Sequence, residues 1–155
     1  MSIIELKNIS PKKKQIFTEL IYSNFFYLTQ FPKLKHTMEE IKDIFDDNDS
    51  FFIIYLDHKK ILGYILGKKM TLNKRNVLFV TYIFTSPNHR KNGIGHLMMN
   101  YLEKYGNNIK YNGIMLTCDT DNNIVYDWYL KMGYMPDMEY RTYDRHDTLY
   151  KSLRF

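Results

Sequence analysis

An α+β fold is what the sequence predicts, and three observations carry the prediction. Early in the chain apolar residues recur at three- and four-residue steps, the period of a helix with one buried face. From Phe51 the pattern shifts to runs rich in Ile, Phe, Tyr and Leu separated by short polar turns, as in strands. From Val77 onward strand-like and helix-like stretches alternate. The order of elements is βααβββαβαββ.

Taken in turn, Ile3 to Leu6 reads as a short strand. Pro11 opens a helix at the position where its missing N–H is harmless, and Ile16, Phe17, Leu20, Ile21, Phe25 and Leu28 form its apolar face until Pro32 closes it. Thr37-Met38-Glu39-Glu40 is a capping box that starts a second, shorter helix with Met38, Ile41, Ile44 and Phe45 inward. The acidic run Asp46-Asp47-Asn48-Asp49 is a turn. Phe51 to Leu56 and Ile61 to Lys69 are strands joined by the hairpin Asp57-His58-Lys59-Lys60, and the turn Asn73-Lys74-Arg75-Asn76 leads to a third strand, Val77 to Thr85. The next helix starts near Gly95, buries Leu97, Met98, Tyr101 and Leu102, and ends near Gly106. Gly113 to Asp119 is a buried strand, Asn123 to Met132 a helix, and two last strands run from Met138 to Tyr143 and from Thr148 to Leu153 around Arg145-His146.

Composition bounds the function. A chain of 155 residues with 45% hydrophobic and 16% aromatic residues suits a single domain over 1–155 with a packed core. No apolar run reaches the length of a bilayer span, and the first residues lack a cationic stretch followed by an apolar one. The lone Cys118 allows no internal disulfide; together these predict a soluble, cytoplasmic protein with no membrane partner. The net charge of +5 is not gathered into a stripe, since Lys12, Lys13 and Lys14 are the sole triplet. It suits an anionic small molecule rather than nucleic acid. The five histidines show no metal-ligand spacing, so no metal is expected.

One segment points to chemistry. Arg90-Lys91-Asn92-Gly93-Ile94-Gly95 lies between a strand and a helix, and its glycines let amide N–H groups turn toward an anion at the positive end of the helix dipole. It lacks the Gly-Lys-Ser/Thr of a nucleotide loop and the three-glycine fingerprint of a dinucleotide site, so a different diphosphate is implied. About thirty residues on, Asn122, Tyr129, Gly133 and Tyr134 stand in an Asn-x6-Tyr-x3-Gly-aromatic frame.

The Arg-x-x-Gly-x-Gly loop and this frame, in this order, resemble the GNAT superfamily of acetyl-CoA-dependent N-acyltransferases. The likeness is strongest from Val77 to Tyr134 and weak before Ser50. It implies a three-layer fold with a mixed, mostly antiparallel sheet whose two central strands splay into a V-shaped cofactor groove. It further implies acetyl-CoA as cosubstrate, with Arg90, Lys91, Asn92, Gly93, Ile94 and Gly95 on the diphosphate and the backbone near Ile83 and Thr85 on the pantetheine arm. Asn122 has two readings, a helix cap or a pantetheine contact. Tyr129 is the implied catalytic residue, a phenol that can donate to the departing sulfur.

The proton acceptor is open. Many relatives carry a Glu on the strand before the loop, whereas Val77 to Ser86 holds no carboxylate; Tyr82, Glu139, Asp119 and a histidine are the alternatives. A packed thiol is the preferred reading of Cys118, and direct transfer the simpler mechanism. Tyr22, Phe25, Tyr27, Tyr82, Tyr140 and Tyr143 are the candidate acceptor-site residues, and such an aromatic wall favours a peptide or protein amine. Acidic Asp46, Asp47 and Asp49 would instead suit a polyamine or aminoglycoside, and a non-catalytic coenzyme A-binding module is the third reading. A homodimer is also left open.

Overall fold

The computed structural model describes residues 2–7, 9–24, 36–121, 123–140 and 146–153. Among them are seven strands and four α-helices: β1 (Ser2–Leu6), α1 (Pro11–Ser23), α2 (Met38–Asp46), β2 (Ser50–Asp57), β3 (Lys60–Leu72), β4 (Arg75–Thr85), α3 (Ile94–Asn108), β5 (Gly113–Asp119), α4 (Asn123–Lys131), β6 (Met135–Pro136) and β7 (His146–Ser152). The predicted order is the order found. The strands form a mixed, open sheet, β1-β2-β3-β4-β5-β7-β6. Its β4–β5 step is parallel, whereas β1–β2, β5–β7 and β6–β7 are antiparallel.

Local chemistry explains most boundaries. Ser10 caps α1 by accepting from the Lys13 N–H at 3.3 Å, and Pro11 follows at the first helical position. Asn24 ends the helix; Phe25 and Leu28, expected to prolong it, lie outside the described residues. Thr37 and Glu40 satisfy each other's backbone N–H groups at 3.1 Å, the predicted capping box. The two hairpin turns carry positive φ at both central residues, 49° and 69° at His58 and Lys59 and 46° and 66° at Asn73 and Lys74. That is the type I′ geometry whose twist matches the flanking strands.

The chain divides into two compact units, Met1–Gly67 with Tyr82–Met99, and Lys68–Thr81 with Asn100–Phe155. In the first, α1 and α2 cover one face of the strands. Phe17, Ile21, Ile41, Phe52, Ile54, Tyr64, Leu66, Tyr82 and Phe84 form its core, with Phe17 and Phe52 centroids 4.9 Å apart. Each fully buried side chain of this size contributes about 1.5–3 kcal/mol. A Cβ at Gly63 would lie 2.8 Å from Met98 Cε and 2.9 Å from the Phe84 carbonyl, so glycine lets the start of α3 sit on β3.

In the second unit β5 pairs with β7 from Gly113↔Ser152 to Asp119↔His146, and with β4 from Val77↔Gly113 to Val80↔Leu116. Both β4 and β5 continue beyond that parallel ladder, to Thr85 and Asp119. The predicted strand from Met138 to Tyr143 needs correcting. Residues 138–140 form a turn, 141–143 lie outside the described residues, and a two-residue β6 precedes them. The cause is Asp137, whose carboxylate accepts the Tyr140 N–H at 3.1 Å and bends the chain away from the extended form.

Candidate active site

In the first unit β4 runs into the segment singled out from sequence. The Ser86 N–H donates to the Leu62 carbonyl at 2.8 Å, fixing where β4 stops. Pro87–Asn92 then forms a 3-10 helix, and Gly93 turns the chain with φ 74°. The expected open loop is thus a tight turn, and α3 begins at Ile94, one residue earlier than predicted.

Gly93 stands where the 3-10 turn meets α3. Its left-handed backbone suits glycine, and a Cβ built there would meet nothing within 4 Å. The first intrahelical bond of α3 is Leu97 N–H to Gly93 carbonyl at 3.0 Å, so the N–H groups before Leu97 have no partner within the helix. An exposed glycine and the start of a 15-residue helix thus place amide N–H groups where an anion can accept from them. Ile94 is 2% exposed and anchors the helix start in the core. Ile83 and Thr85 are half-buried on β4, whereas His96 is exposed, as predicted for a surface histidine.

The Tyr22 side chain is half exposed on the last turn of α1. Tyr82 is 6% exposed and hydrogen-bonds through its hydroxyl to His36 Nδ1. That pairing spans 46 residues, and no sequence pattern announces it. Phe25 and Tyr27 lie outside the described residues.

In the second unit Tyr129 is 4% exposed on α4, the helix that packs on β5. Three residues of its frame turn out to be one helix-terminating motif. Gly133 has φ 96°; its N–H donates to the Leu130 carbonyl at 3.0 Å, and the Tyr134 N–H reaches back to the Tyr129 carbonyl at 3.1 Å. These are the two bonds of a Schellman cap, and the accompanying contact is between the Tyr129 and Tyr134 rings, centroids 5.8 Å apart. Tyr129 is held at a defined height on its helix by that cap. Burial pushes its phenol pKa upward, with a smaller contribution from the Cys118 side, so Tyr129 stays protonated at working pH and can serve as a donor. Asn122 lies outside the described residues.

Cys118 is 6% exposed, and burial pushes its thiol pKa up to about 12, which suits packing rather than nucleophilic attack. Burial likewise raises Asp119, while His146 opposite it acts in the other direction. Tyr140 lies 5.8 Å from the Arg75 guanidinium, which also sits 4.5 Å over the Tyr150 ring. Arg75 donates to both oxygens of Asp137, at 2.9 and 3.3 Å, and to Glu139 at 3.2 Å. Gly113 leaves room for the Tyr150 ring, whose atoms come within 2.4 Å of where its Cβ would stand. Glu139, named as a candidate base, is thus tied to Arg75; Tyr143 lies outside the described residues. Among the described residues no His, Cys, Asp or Glu group could hold a metal, and no helix is long and apolar enough to cross a membrane.

The element order, the mixed open sheet and the strand-turn-helix around Gly93 define the fold of the N-acetyltransferases. Residues 16–134 match the acetyltransferase (GNAT) family, and the chain belongs to that family, whose members use acetyl-CoA. Over 79 residues it is 34% identical to naa20 of Schizosaccharomyces pombe, the catalytic subunit of the N-terminal acetyltransferase B complex, a match spanning 51% of this chain and 44% of that protein. NAA60 of Arabidopsis thaliana, solved in complex with a bisubstrate analogue, superposes with TM-score 0.70 at 14% identity over 98% of each chain. An aminoglycoside acetyltransferase from an uncultured soil metagenomic sample, in complex with sisomicin, superposes with TM-score 0.65 at 15% identity over 84% of this chain and 85% of its own. At such identities the structural likeness is one of fold.

Proposed function

We propose that this protein is an N-acetyltransferase that moves the acetyl group of acetyl-CoA directly to an amine of a peptide or protein, at an N-terminus or a lysine. The observation that carries the reading is the open, left-handed Gly93 at the start of α3, where a Cβ would meet no neighbour. In this reading the amides from Asn92 to Gly95 take the diphosphate, Arg90 and Lys91 add charge, and the backbone at Ile83 and Thr85 pairs with the amide groups of the pantetheine arm. Asn122 contacts that arm or caps α4. Tyr129 donates to the leaving sulfur, a role for which a phenol held protonated by burial is suited.

The preference for a peptide rests on two supports. One is the likeness to naa20, the catalytic subunit of an N-terminal acetyltransferase complex. The other is electrostatic. A polycation would draw on the acidic turn, where Asp46 already faces a cation of this chain, Lys14. The aromatic candidates Tyr22, Phe25, Tyr27, Tyr82, Tyr140 and Tyr143 are assigned to the acceptor. We further propose that residues 1–155 act as one catalytic domain in the cytoplasm, where Cys118 stays reduced.

The test is an acceptor panel of peptides, spermidine and aminoglycosides with acetyl-CoA at saturation. A peptide should show a kcat/KM at least about tenfold above the small amines, a difference of about 1.4 kcal/mol in transition-state binding. Faster turnover of spermidine that collapses in Asp46→Asn and Asp47→Asn variants would replace the peptide reading with the polyamine one. Acetyl-CoA binding without transfer to any amine would favour the binding module.

A further inference from the structure

Three elements of the second unit meet at one ammonium group. Lys151, on β7, is paired with Glu103 on α3, and its Nζ stands 5.8 Å from the centroid of the Tyr134 ring just past α4. The lysine stem runs past Gly133, where a Cβ would lie 3.3 Å from Cε and 3.8 Å from Nζ, so the turn of the cap and the cation lie side by side. The ion pair joins residues 48 positions apart. Its side chains are only 28% and 15% exposed, and the second carboxylate oxygen of Glu103 is buried with no hydrogen-bond partner among the described residues. Taking two charges out of water in this way gains little stability over a packed apolar pair. Tyr134 in turn is fully buried, and its hydroxyl too has no hydrogen-bond partner among the described residues. Its ring is therefore held by packing, by the Lys151 cation and by the edge contact with the Tyr129 ring, centroids 5.8 Å apart at 69°.

We propose that the Glu103–Lys151 pair positions Tyr129: the ammonium, tethered by Glu103, fixes the Tyr134 ring, and that ring, with the Schellman cap, sets where the Tyr129 hydroxyl stands. The role rests on the reading of Tyr129 as donor to the leaving sulfur. Tyr129 and Tyr134 are joined twice, by the Tyr134 N–H to the Tyr129 carbonyl at 3.1 Å and by the ring contact, so a shift of one is passed to the other. Both charged residues act through that link, as positioning residues. A donor misplaced by about 1 Å can cost on the order of 10²-fold in rate, so a contact that holds a ring in one place matters to turnover even where it adds nothing to stability. What the pair contributes is geometry.

The experiment measures kcat and KM with the best peptide of the panel, together with Tm, for Lys151→Met and Lys151→Arg, each in the wild-type and the Tyr129→Phe background. Methionine keeps most of the stem beside Gly133 and removes the cation; arginine keeps a cation that can bond Glu103 and lie over Tyr134. Lys151→Met should lower kcat about tenfold with the KM for acetyl-CoA unchanged, and Lys151→Arg should recover most of that loss. In the Tyr129→Phe background Lys151→Met should lower Tm as before yet leave kcat where Tyr129→Phe alone puts it, since no hydroxyl remains to be positioned. Methionine leaves Glu103 buried without its cation, so a Glu103→Gln, Lys151→Met double variant takes its place if the single one does not fold, with the same kcat loss expected. A wild-type kcat without the cation, or a loss that adds in full to that of Tyr129→Phe, would overturn the positioning role while leaving Tyr129 as the donor. Wild-type turnover in Tyr129→Phe would overturn the donor reading, and wild-type protein that binds acetyl-CoA yet acetylates nothing the acetyltransferase reading; either takes the positioning role with it.

Discussion

The Asp137 carboxylate is 8% exposed and keeps its charge because Arg75 donates to both its oxygens while the Tyr140 N–H adds a third bond. Hydrogen bonding from Arg75 is the main cause that holds this carboxyl below the usual range, against the opposing effect of burial. Arg75→Met should therefore cost about 2 kcal/mol at neutral pH, at the low end for a buried pair because the Arg75 side chain is 24% exposed. Because the folded carboxyl titrates below the unfolded one, its stabilisation is full above about pH 4 and is lost as the pH falls further. Denaturant melts of both proteins from pH 7 to pH 2 should show the gap closing at the acid end, and a constant gap would rule out this pairing as its source. Tyr129 yields a kinetic prediction. Tyr129→Phe keeps the ring against Trp128 and Tyr134 but removes the donor, so kcat should drop roughly 10²-fold with acetyl-CoA affinity little changed. Unchanged turnover would mean that the leaving sulfur is protonated by another group.

At the level of elements, what was legible in the sequence was what local chemistry decides. The Thr37–Glu40 box, the Pro11 start of α1 and the turns at His58 and Asn73 all involve residues a few positions apart, and each stands where the pattern put it. The Tyr129-Gly133-Tyr134 spacing belongs to the same class, because a Schellman cap is contained in six residues. Contacts at long range were not legible. Arg75 meets Asp137 across 62 positions, although the bond that turns the chain at Met138, from the Tyr140 N–H to the same carboxylate, is local. His36 meets Tyr82 across 46. Of the candidate site, the Gly93 turn and the cap beside Tyr129 are local and follow a sequence pattern, whereas the partner of Tyr82 does not. The cap carries its own prediction. Gly133→Ala forces an L residue to φ 96° and brings a Cβ within 3.3 Å of Lys151 Cε, itself paired with Glu103. It should cost about 1–2 kcal/mol of stability and lower kcat more than it changes acetyl-CoA binding. Equal effects on both constants would show that the cap does not position Tyr129.

For the molecule as a whole, the proposed reading joins the +5 charge and the exposed helix start at Gly93 in one role, the grip of backbone amides on an anionic cosubstrate. Side chains contribute little to such a grip, which is why the motif shows as glycines rather than as a charged constellation. The central claim is that acetyl-CoA binds at this helix start. The direct measurement is the thermal unfolding of wild type and Gly93→Glu with increasing acetyl-CoA. At a concentration about a hundredfold above Kd the wild type should gain about 2.7 kcal/mol, a rise of roughly 5–10 °C in Tm. Gly93→Glu has room for its Cβ and should fold at a cost of about 1–2 kcal/mol for the left-handed backbone, yet its carboxylate would repel the diphosphate and abolish the rise. A flat wild-type Tm at millimolar acetyl-CoA, or an equal rise in both proteins, would contradict the account.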